Sequence, residues 1–186
     1  MFNRLRSAIF GEPHQAAPAS IVVEPTELVL SCADTNATLT VKVNGQRIAC
    51  PHTEWVGQIG CRIFDGQLGF QLLVEACRPS KSELDLVRRI VAYEHSLKGE
   101  ALDAIFAYFD DLRRNHGVDF PEAIGGWSRD QVADLVHSPC CFIDDLSDDV
   151  NSKACFIISF STDLDEEHGV DVLVNDWQVV DCGCLV

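Results

Sequence analysis

The sequence predicts an α+β fold, in which a mainly antiparallel sheet of β-hairpins carries two to three helices packed on one side. Three observations predict it. Alternating apolar segments joined by turn residues fill the first third of the chain, helical periodicity fills the middle, and alternating segments return in the last third. Because strands and helices do not alternate regularly, a parallel α/β sheet is not expected.

The chain of 186 residues is long enough for one domain with an appendage. Residues 1–20 are predicted to form an N-terminal arm and linker, with one short helix whose apolar positions are Phe2, Leu5 and Ile9. Residues 21–186 are predicted to form a single α+β domain.

The clearest strand signal is residues 37–43, where apolar and polar side chains alternate strictly before Asn44-Gly45. Asn-Gly is the strongest two-residue hairpin signal, because both central positions of the turn need positive φ. This turn predicts three cross-strand pairs on one largely apolar face: Val43 with Gln46, Val41 with Ile48 and Leu39 with Cys50.

Two further turns are predicted to close hairpins. The pairs expected around a turn at Asp65-Gly66 are Ile63 with Leu68 and Cys61 with Phe70. A strand is then predicted over residues 154–161. The pairs expected around a turn at Asn175-Asp176 are Val174 with Trp177 and Val172 with Val179.

Helical periodicity begins after residues 80–83, which match a capping box in which a serine hydroxyl and a glutamate carboxylate bond orphan backbone amides. A second helix is predicted to begin near Gly99 and to end at Gly117, a residue suited to the left-handed conformation that follows a helix. Residues 128–131 match another capping box and predict a short third helix.

The charge balance argues against nucleic acid as a partner. The formal net charge is −15, and only 14 residues are Lys or Arg. A nucleic-acid surface needs clustered basic side chains that displace counterions from phosphate. A field of this sign attracts positive surfaces instead, so a basic protein partner is expected.

The sequence carries no apolar run near the ~20 residues that span a bilayer, so no membrane association is expected. The N-terminal residues lack a secretory cleavage pattern, which predicts a cytoplasmic protein with its nine cysteines reduced. No Gly-rich phosphate loop precedes a helix, and no cofactor is expected.

The candidate functional loop lies between two predicted strands and contains Asp163, Asp165, Glu166, Glu167, His168 and Gly169. Three interpretations compete. The loop could be a tight turn in which Gly169 takes positive φ and His168 bonds to Asp165, to Glu166 or to a strand carbonyl. It could instead recognise a basic partner, or form a metal or acid–base site. The spacing fits neither an EF-hand nor a zincin helix.

A weaker alternative is a zinc site formed by His137, Cys140, Cys182 and Cys184. The sequence contains no Cys-x-x-Cys pair, which is the usual zinc-binding spacing. Buried thiols, which behave as small apolar groups, are therefore favoured over metal ligands.

The end of the chain resembles a bacterial family of uncharacterised domains. The resemblance is carried by residues 157–160, residues 165–170 and residues 179–183, which match an apolar strand, a (Trp)-Asp-Glu-Glu-His-Gly hairpin motif and a final strand. The chain differs from that pattern at Leu164, where Trp is usual, and at Asp171, where Gly is usual. The resemblance extends over the last two thirds of the chain.

The resemblance implies a binding role, because some family members look like immunity proteins encoded near bacterial toxins. The leading hypothesis is a non-enzymatic bacterial interaction protein, immunity-like, that binds through an acidic surface. The alternative is a metal-dependent or acid–base hydrolase centred on residues 163–168. An enzyme would bring these side chains together in a cleft, whereas a binding module would spread them on a ridge.

Overall fold

The structure of the protein is a computed structural model. It describes residues 20–43, 46–61, 66–120, 127–144, 155–165 and 167–184. The strands are β1 (Ser20–Val22), β2 (Val29–Val43), β3 (Gln46–Cys61), β4 (Gly66–Val74), β5 (Val136–Asp144), β6 (Cys155–Thr162), β7 (Val170–Asn175) and β8 (Gln178–Gly183). The helices are α1 (Lys81–Asn115) and α2 (Arg129–Ala133).

The strands form one eight-stranded sheet whose spatial order is the order along the chain. Every neighbouring pair is antiparallel except β4 and β5, which are parallel. Since α1 and α2 lie between β4 and β5 in sequence, this parallel pair is closed by a helical crossover. The α+β class and the mostly antiparallel sheet are as the sequence predicts.

The first predicted hairpin has the predicted register. β2 and β3 pair Val43 with Gln46, Val41 with Ile48 and Leu39 with Cys50. Asn44 and Gly45 themselves lie outside the described residues, as does the predicted arm up to residue 19. The agreement on both sides of the turn confirms the pairing that the Asn-Gly signal predicts.

The register of the hairpin between β3 and β4 differs from the prediction. The observed pairs are Cys61 with Gly66, Ile59 with Leu68 and Gly57 with Phe70. The predicted register differs from the observed one by four positions along β3. An even difference leaves every side chain on the same face of the sheet, so the alternation of apolar and polar residues fits both registers. The observed register places Leu72 opposite Trp55, and both side chains are fully buried.

The hairpin between β7 and β8 turns one residue later than predicted. Asp176 and Trp177 form its turn, with φ values of 52° and 65°. The pairs beside the turn are Asn175 with Gln178 and Val174 with Val179. The Trp177 ring packs against Tyr93 and Phe156, at centroid distances of 4.9 and 5.9 Å. This aromatic packing outweighs the usual preference for Asn or Gly in such a turn.

The two helices predicted over the middle of the chain are one helix, because α1 continues through Gly99. Its predicted capping box at Ser80 is present, and Gly117 follows its end at φ +67°. Gly99 costs helix stability relative to Ala, but its carbonyl accepts a hydrogen bond of 3.0 Å from the Arg129 side chain. Within the described residues, no helix combines the length and apolar character that crossing a membrane requires.

Two rows of cross-strand partners run across the sheet from β3 to β7. On each strand, the residue in one row is adjacent in sequence to the residue in the other row. The row on the apolar face consists of Gly57, Phe70, Cys141, Ile158 and Val172. The row on the opposite face, called here the cleft face, consists of Gln58, Gly69, Cys140, Ser159 and Asp171. Successive residues of a strand point to opposite faces, which separates the two rows.

The apolar face forms one hydrophobic core with α1. The helix contributes a stripe of buried side chains at helical spacing: Val87, Ile90, Ala101, Ile105 and Phe109. These residues belong to the same cluster as the apolar row, and α1 packs directly against β7 and β8. The core therefore fixes β5, β6 and β7, which carry the candidate site.

Candidate functional site

A cleft of about 600 Å³ lies on the cleft face, between the start of β5, the end of β6 and the loop that joins β6 to β7. We call it the acidic cleft. β5 and β6 line it with His137, Ser138, Cys140, Ser159 and Ser161. The loop lines it with Asp163, Asp165, Glu167, His168 and Gly169.

The loop is organised by hydrogen bonds to Asp165. Its Oδ1 accepts from the backbone N–H groups of Glu167 (3.2 Å) and His168 (3.1 Å), and lies 3.1 Å from Nδ1 of the His168 ring. Its carbonyl oxygen accepts from the Gly169 N–H at 2.9 Å. Of the partners predicted for His168, which were Asp165, Glu166 and a strand carbonyl, the structure shows Asp165. The loop is the kind of turn that an Asp side chain stabilises.

Gly169 is required by the close approach of the loop to β6. Its φ is +68°, a conformation that side chains other than glycine resist. A Cβ atom at this position would also collide with the carbonyl oxygen of Phe160. Glycine thus allows the loop to fold back against the strand it leaves.

Asp165 remains a carboxylate in this environment. Its partial burial alone would raise its pKa. The hydrogen bonds from the ring and backbone of His168, the imidazole charge and the Glu167 N–H outweigh this effect, so the pKa of Asp165 is lowered from its ordinary value near 3.8. The cleft therefore holds a fixed negative charge at neutral pH.

A second histidine–aspartate pair lines the same cleft. His137 Nε2 lies 3.3 Å from Oδ1 of Asp163, and the Asp163 N–H donates to the carbonyl of Leu135 at 3.0 Å. Sequence reasoning placed these residues in two separate candidate sites. The antiparallel pairing of β5 with β6, which sets His137 opposite Ser161, brings them together.

Ser138 has a strained backbone beside this pair. Its φ is +52°, and the register of β5 is irregular between His137 and Cys140. The Ser138 Oγ lies 3.2 Å from Nδ1 of His137. Non-glycine residues held at positive φ cost about 1–3 kcal/mol and cluster at functional sites. Sequence reasoning missed Ser138, because alternation over a short strand does not reveal such an irregularity.

The predicted zinc ligands do not come together. Cys140 lies on the cleft face of β5, whereas Cys182 pairs with Val172, on the apolar face and three strands away. Cys184 follows β8, with its Sγ 4.0 Å from the Tyr108 hydroxyl. Among the residues that the structure describes, no three His, Cys, Asp or Glu side chains are grouped to hold a metal ion.

Cys140 and Cys182 are protonated thiols. Burial raises the pKa of Cys140, which lines the acidic cleft. Burial, with the charges of Asp181 and Asp171, raises the pKa of Cys182 to about 12. A neutral thiol is a poor nucleophile and a poor metal ligand.

The site combines the two geometries that sequence reasoning had set against each other. The loop side chains line a cleft, yet they remain open to solvent: Asp163 is 60% exposed, His168 is 62% exposed and Asp165 is 35% exposed. Glu166 lies outside the described residues. The arrangement can accept a cationic group from solvent without an enclosed reaction chamber.

Comparison with protein families identifies one match. The family described as a domain of unknown function, DUF6985, matches residues 46–184, about three quarters of the chain. The match includes every residue named for the acidic cleft and leaves out β1 and β2. Neither the curated proteins nor the solved structures contain a match to this chain. The chain therefore belongs to the DUF6985 family, an uncharacterised domain family of the kind that its C-terminal motif resembles.

Proposed function

We propose that the acidic cleft binds a basic segment of a protein partner, and that the chain is a non-enzymatic bacterial interaction protein, immunity-like in its mode of action. The observation that carries this proposal is that three acidic residues, Asp163, Asp165 and Glu167, line one cleft. No Lys or Arg is among the described residues that line it. A Lys or Arg of the partner would supply the missing positive charge.

The electrostatics of the whole chain support this role. With a formal net charge of −15, the protein attracts positive surfaces over long range, and a cleft concentrates that field. A single exposed ion pair contributes about 0–1 kcal/mol, so binding needs several carboxylates acting on one partner segment. The cleft provides that arrangement.

The ionisation states of Asp165 and Cys140 also favour binding over catalysis. A carboxyl that acts as a general acid at neutral pH needs a raised pKa, whereas that of Asp165 is lowered. A cysteine nucleophile needs a thiolate, whereas burial raises the pKa of Cys140. The Asp165 carboxylate is suited to holding a cation, and neither group has the ionisation state that its catalytic role would need.

The test compares two triple variants that remove the same charge. One variant carries Asp163→Asn, Asp165→Asn and Glu167→Gln in the cleft. The control carries Glu27→Gln, Glu75→Gln and Asp134→Asn, which are exposed and outside the cleft. Calorimetric titration with a lysine-rich octapeptide should show a loss of about tenfold or more for the cleft variant and less than about threefold for the control. Equal losses would mean that net charge alone attracts the peptide, and the proposal would fail.

A second candidate function, acid–base hydrolysis, is favoured by one specific observation. His137 lies between Ser138 and Asp163, within 3.2 and 3.3 Å of their oxygen atoms. With the ring proton on Nε2, His137 would donate to the Asp163 carboxylate, and Nδ1 would accept the Ser138 hydroxyl proton as the oxygen attacks an acyl group. In this form of the alternative, the reacting residues would lie on β5 as well as on the loop.

A fluorophosphonate probe, which labels activated serine hydroxyls, distinguishes the two functions. A hydrolase would be labelled, Ser138→Ala would abolish the labelling, and Ser159→Ala in the same cleft would retain it. The binding function predicts no labelling of the wild type. Labelling that persists in Ser138→Ala would exclude this serine as the nucleophile.

A further inference from the structure

A second cleft lies on the same face of the sheet and shares Cys140 with the acidic cleft. Its volume is about 410 Å³. Strands β2, β3 and β4 supply most of its lining: Val29, Ser31, Glu54, Val56, Gln58 and Gln71. The cleft-face row runs from this second cleft through Cys140 to Ser159 in the acidic cleft. The two clefts are therefore consecutive parts of one groove across five strands.

We propose that this groove holds an extended segment of a partner protein, with a Lys or Arg in the acidic cleft and an apolar side chain in the second cleft. The inference rests on the proposed function, because it extends the same site. Five strands at a spacing of about 4.8 Å span about 19 Å. An extended chain rises about 3.3 Å per residue, so about six residues cover the groove.

The lining of the second cleft suits a partner segment that places an apolar side chain there, because it offers both apolar and polar groups. Val29 is 44% exposed and Val56 is half-buried, so both present apolar surface to the groove. The polar part of the lining includes Glu54 and Gln71, and the Glu54 carboxylate accepts a hydrogen bond of 2.9 Å from the Gln71 amide. Burying an apolar partner residue against the two valines would add affinity in proportion to the area covered.

Gly69 and Cys140 lie between the two clefts. Because Gly69 has no side chain, the Cys140 side chain packs over it, and an added Cβ would lie only 3.2 Å from the Cys140 Sγ. Neither cleft contains a Lys or Arg among its described lining residues. The occupant is a different protein rather than a second copy, because two chains of net charge −15 repel each other.

The experiment uses two synthetic peptides and two matched variants. The long peptide has eight residues, with one Lys followed by a Leu five positions later. The short peptide has three residues and contains only the Lys. Val56→Gln removes apolar surface from the second cleft without changing the charge. Val180→Gln makes the same change at a residue of β8 that is 55% exposed and outside both clefts.

We expect Val56→Gln to weaken the long peptide about tenfold and to leave the short peptide within about twofold, as lost apolar burial requires. Val180→Gln should change neither. If the long peptide binds wild type no more tightly than the short one, the groove is overturned while the acidic cleft stands. If neither peptide binds, the proposed function fails as well. Sedimentation tests for a second copy as the occupant. If the wild type dimerises and Val56→Gln abolishes the dimer, a second copy occupies the groove and the proposal is overturned.

Discussion

The two rows of residues that cross the sheet one position apart differ in chemistry and in exposure. On the apolar face, Phe70, Cys141, Ile158 and Val172 are all at most 5% exposed. On the cleft face, the residues beside them are small or polar; Cys140 and Ser159 are half-buried and line the acidic cleft, whereas Asp171 is 7% exposed. One strand therefore contributes to stability with one residue and to the candidate site with the next.

The difference indicates where substitutions should affect stability and where they should affect binding. The apolar row belongs to the core with α1, so each side chain removed there exposes apolar surface or leaves a cavity. Cys140 and Ser159 of the cleft-face row line the acidic cleft, where truncation removes fewer contacts. Four substitutions test this comparison, in order of decreasing expected effect on the free energy of unfolding.

Phe70→Ala should be the most destabilising of the four. The ring is 1% exposed and lies in the centre of the core, so its removal should lower the free energy of unfolding by about 3–5 kcal/mol. Ser159→Ala on the other row should change it by less than about 0.5 kcal/mol. Urea denaturation of both variants measures the difference. Similar losses at the two positions would show that the cleft face is as tightly packed as the apolar face.

Gly169→Ala should come next, with a loss of about 1–3 kcal/mol. The new Cβ would meet the Phe160 carbonyl oxygen, and φ of +68° is unfavourable for alanine. The control is Gly60→Ala on β3, where an added Cβ meets nothing within 4 Å. Thermal melts should separate the two alanine variants. A Gly169→Ala melt that matches that of Gly60→Ala would show that the loop does not fold against β6 as described.

The sequence predicts the elements of this fold better than their registers. The Asn-Gly turn predicts the β2–β3 register correctly, because that turn tolerates only one pairing of its two flanking residues. The Asp65-Gly66 signal misleads, because a register displaced by an even number leaves the same side chains on the same face. The turn at Asp176 and Trp177 depends on packing of the Trp177 ring, which no local pattern encodes.

Only part of the candidate site could be predicted, because some of its contacts are local in sequence and others depend on strand register. Asp165, His168 and Gly169 are close in sequence, so their turn could be predicted from local chemistry, and the bond between Asp165 and His168 is present. The pair of His137 and Asp163 depends on how β5 aligns with β6. The parallel pairing of β4 with β5, which opens the groove, depends on a crossover of more than 60 residues.

Asp165→Asn should lower stability modestly, by about 0.5–1 kcal/mol at neutral pH, as expected for a partly exposed charged group. The folded pKa of Asp165 is lowered, so its charge stabilises the fold above the pKa of the unfolded chain, and this contribution is lost as the pH falls through the folded value. Melts of wild type and variant should therefore differ at pH 7, and the difference should shrink as the pH falls below 3.8. A difference that persists unchanged in acid would assign the loss to geometry rather than to charge.

His168→Ala should have the smallest effect, about 0.5 kcal/mol, because the bond between its ring and Asp165 is exposed to solvent. Since the His168 ring is hydrogen-bonded to Asp165, its contribution to stability should pass through that carboxylate. In the Asp165→Asn background, His168→Ala should then cost almost nothing further, which a double-mutant cycle at pH 7 would measure. Additive losses would show that His168 stabilises the loop through other contacts. A loss of basic-peptide binding in His168→Ala with unchanged stability would instead place the ring in the binding surface itself.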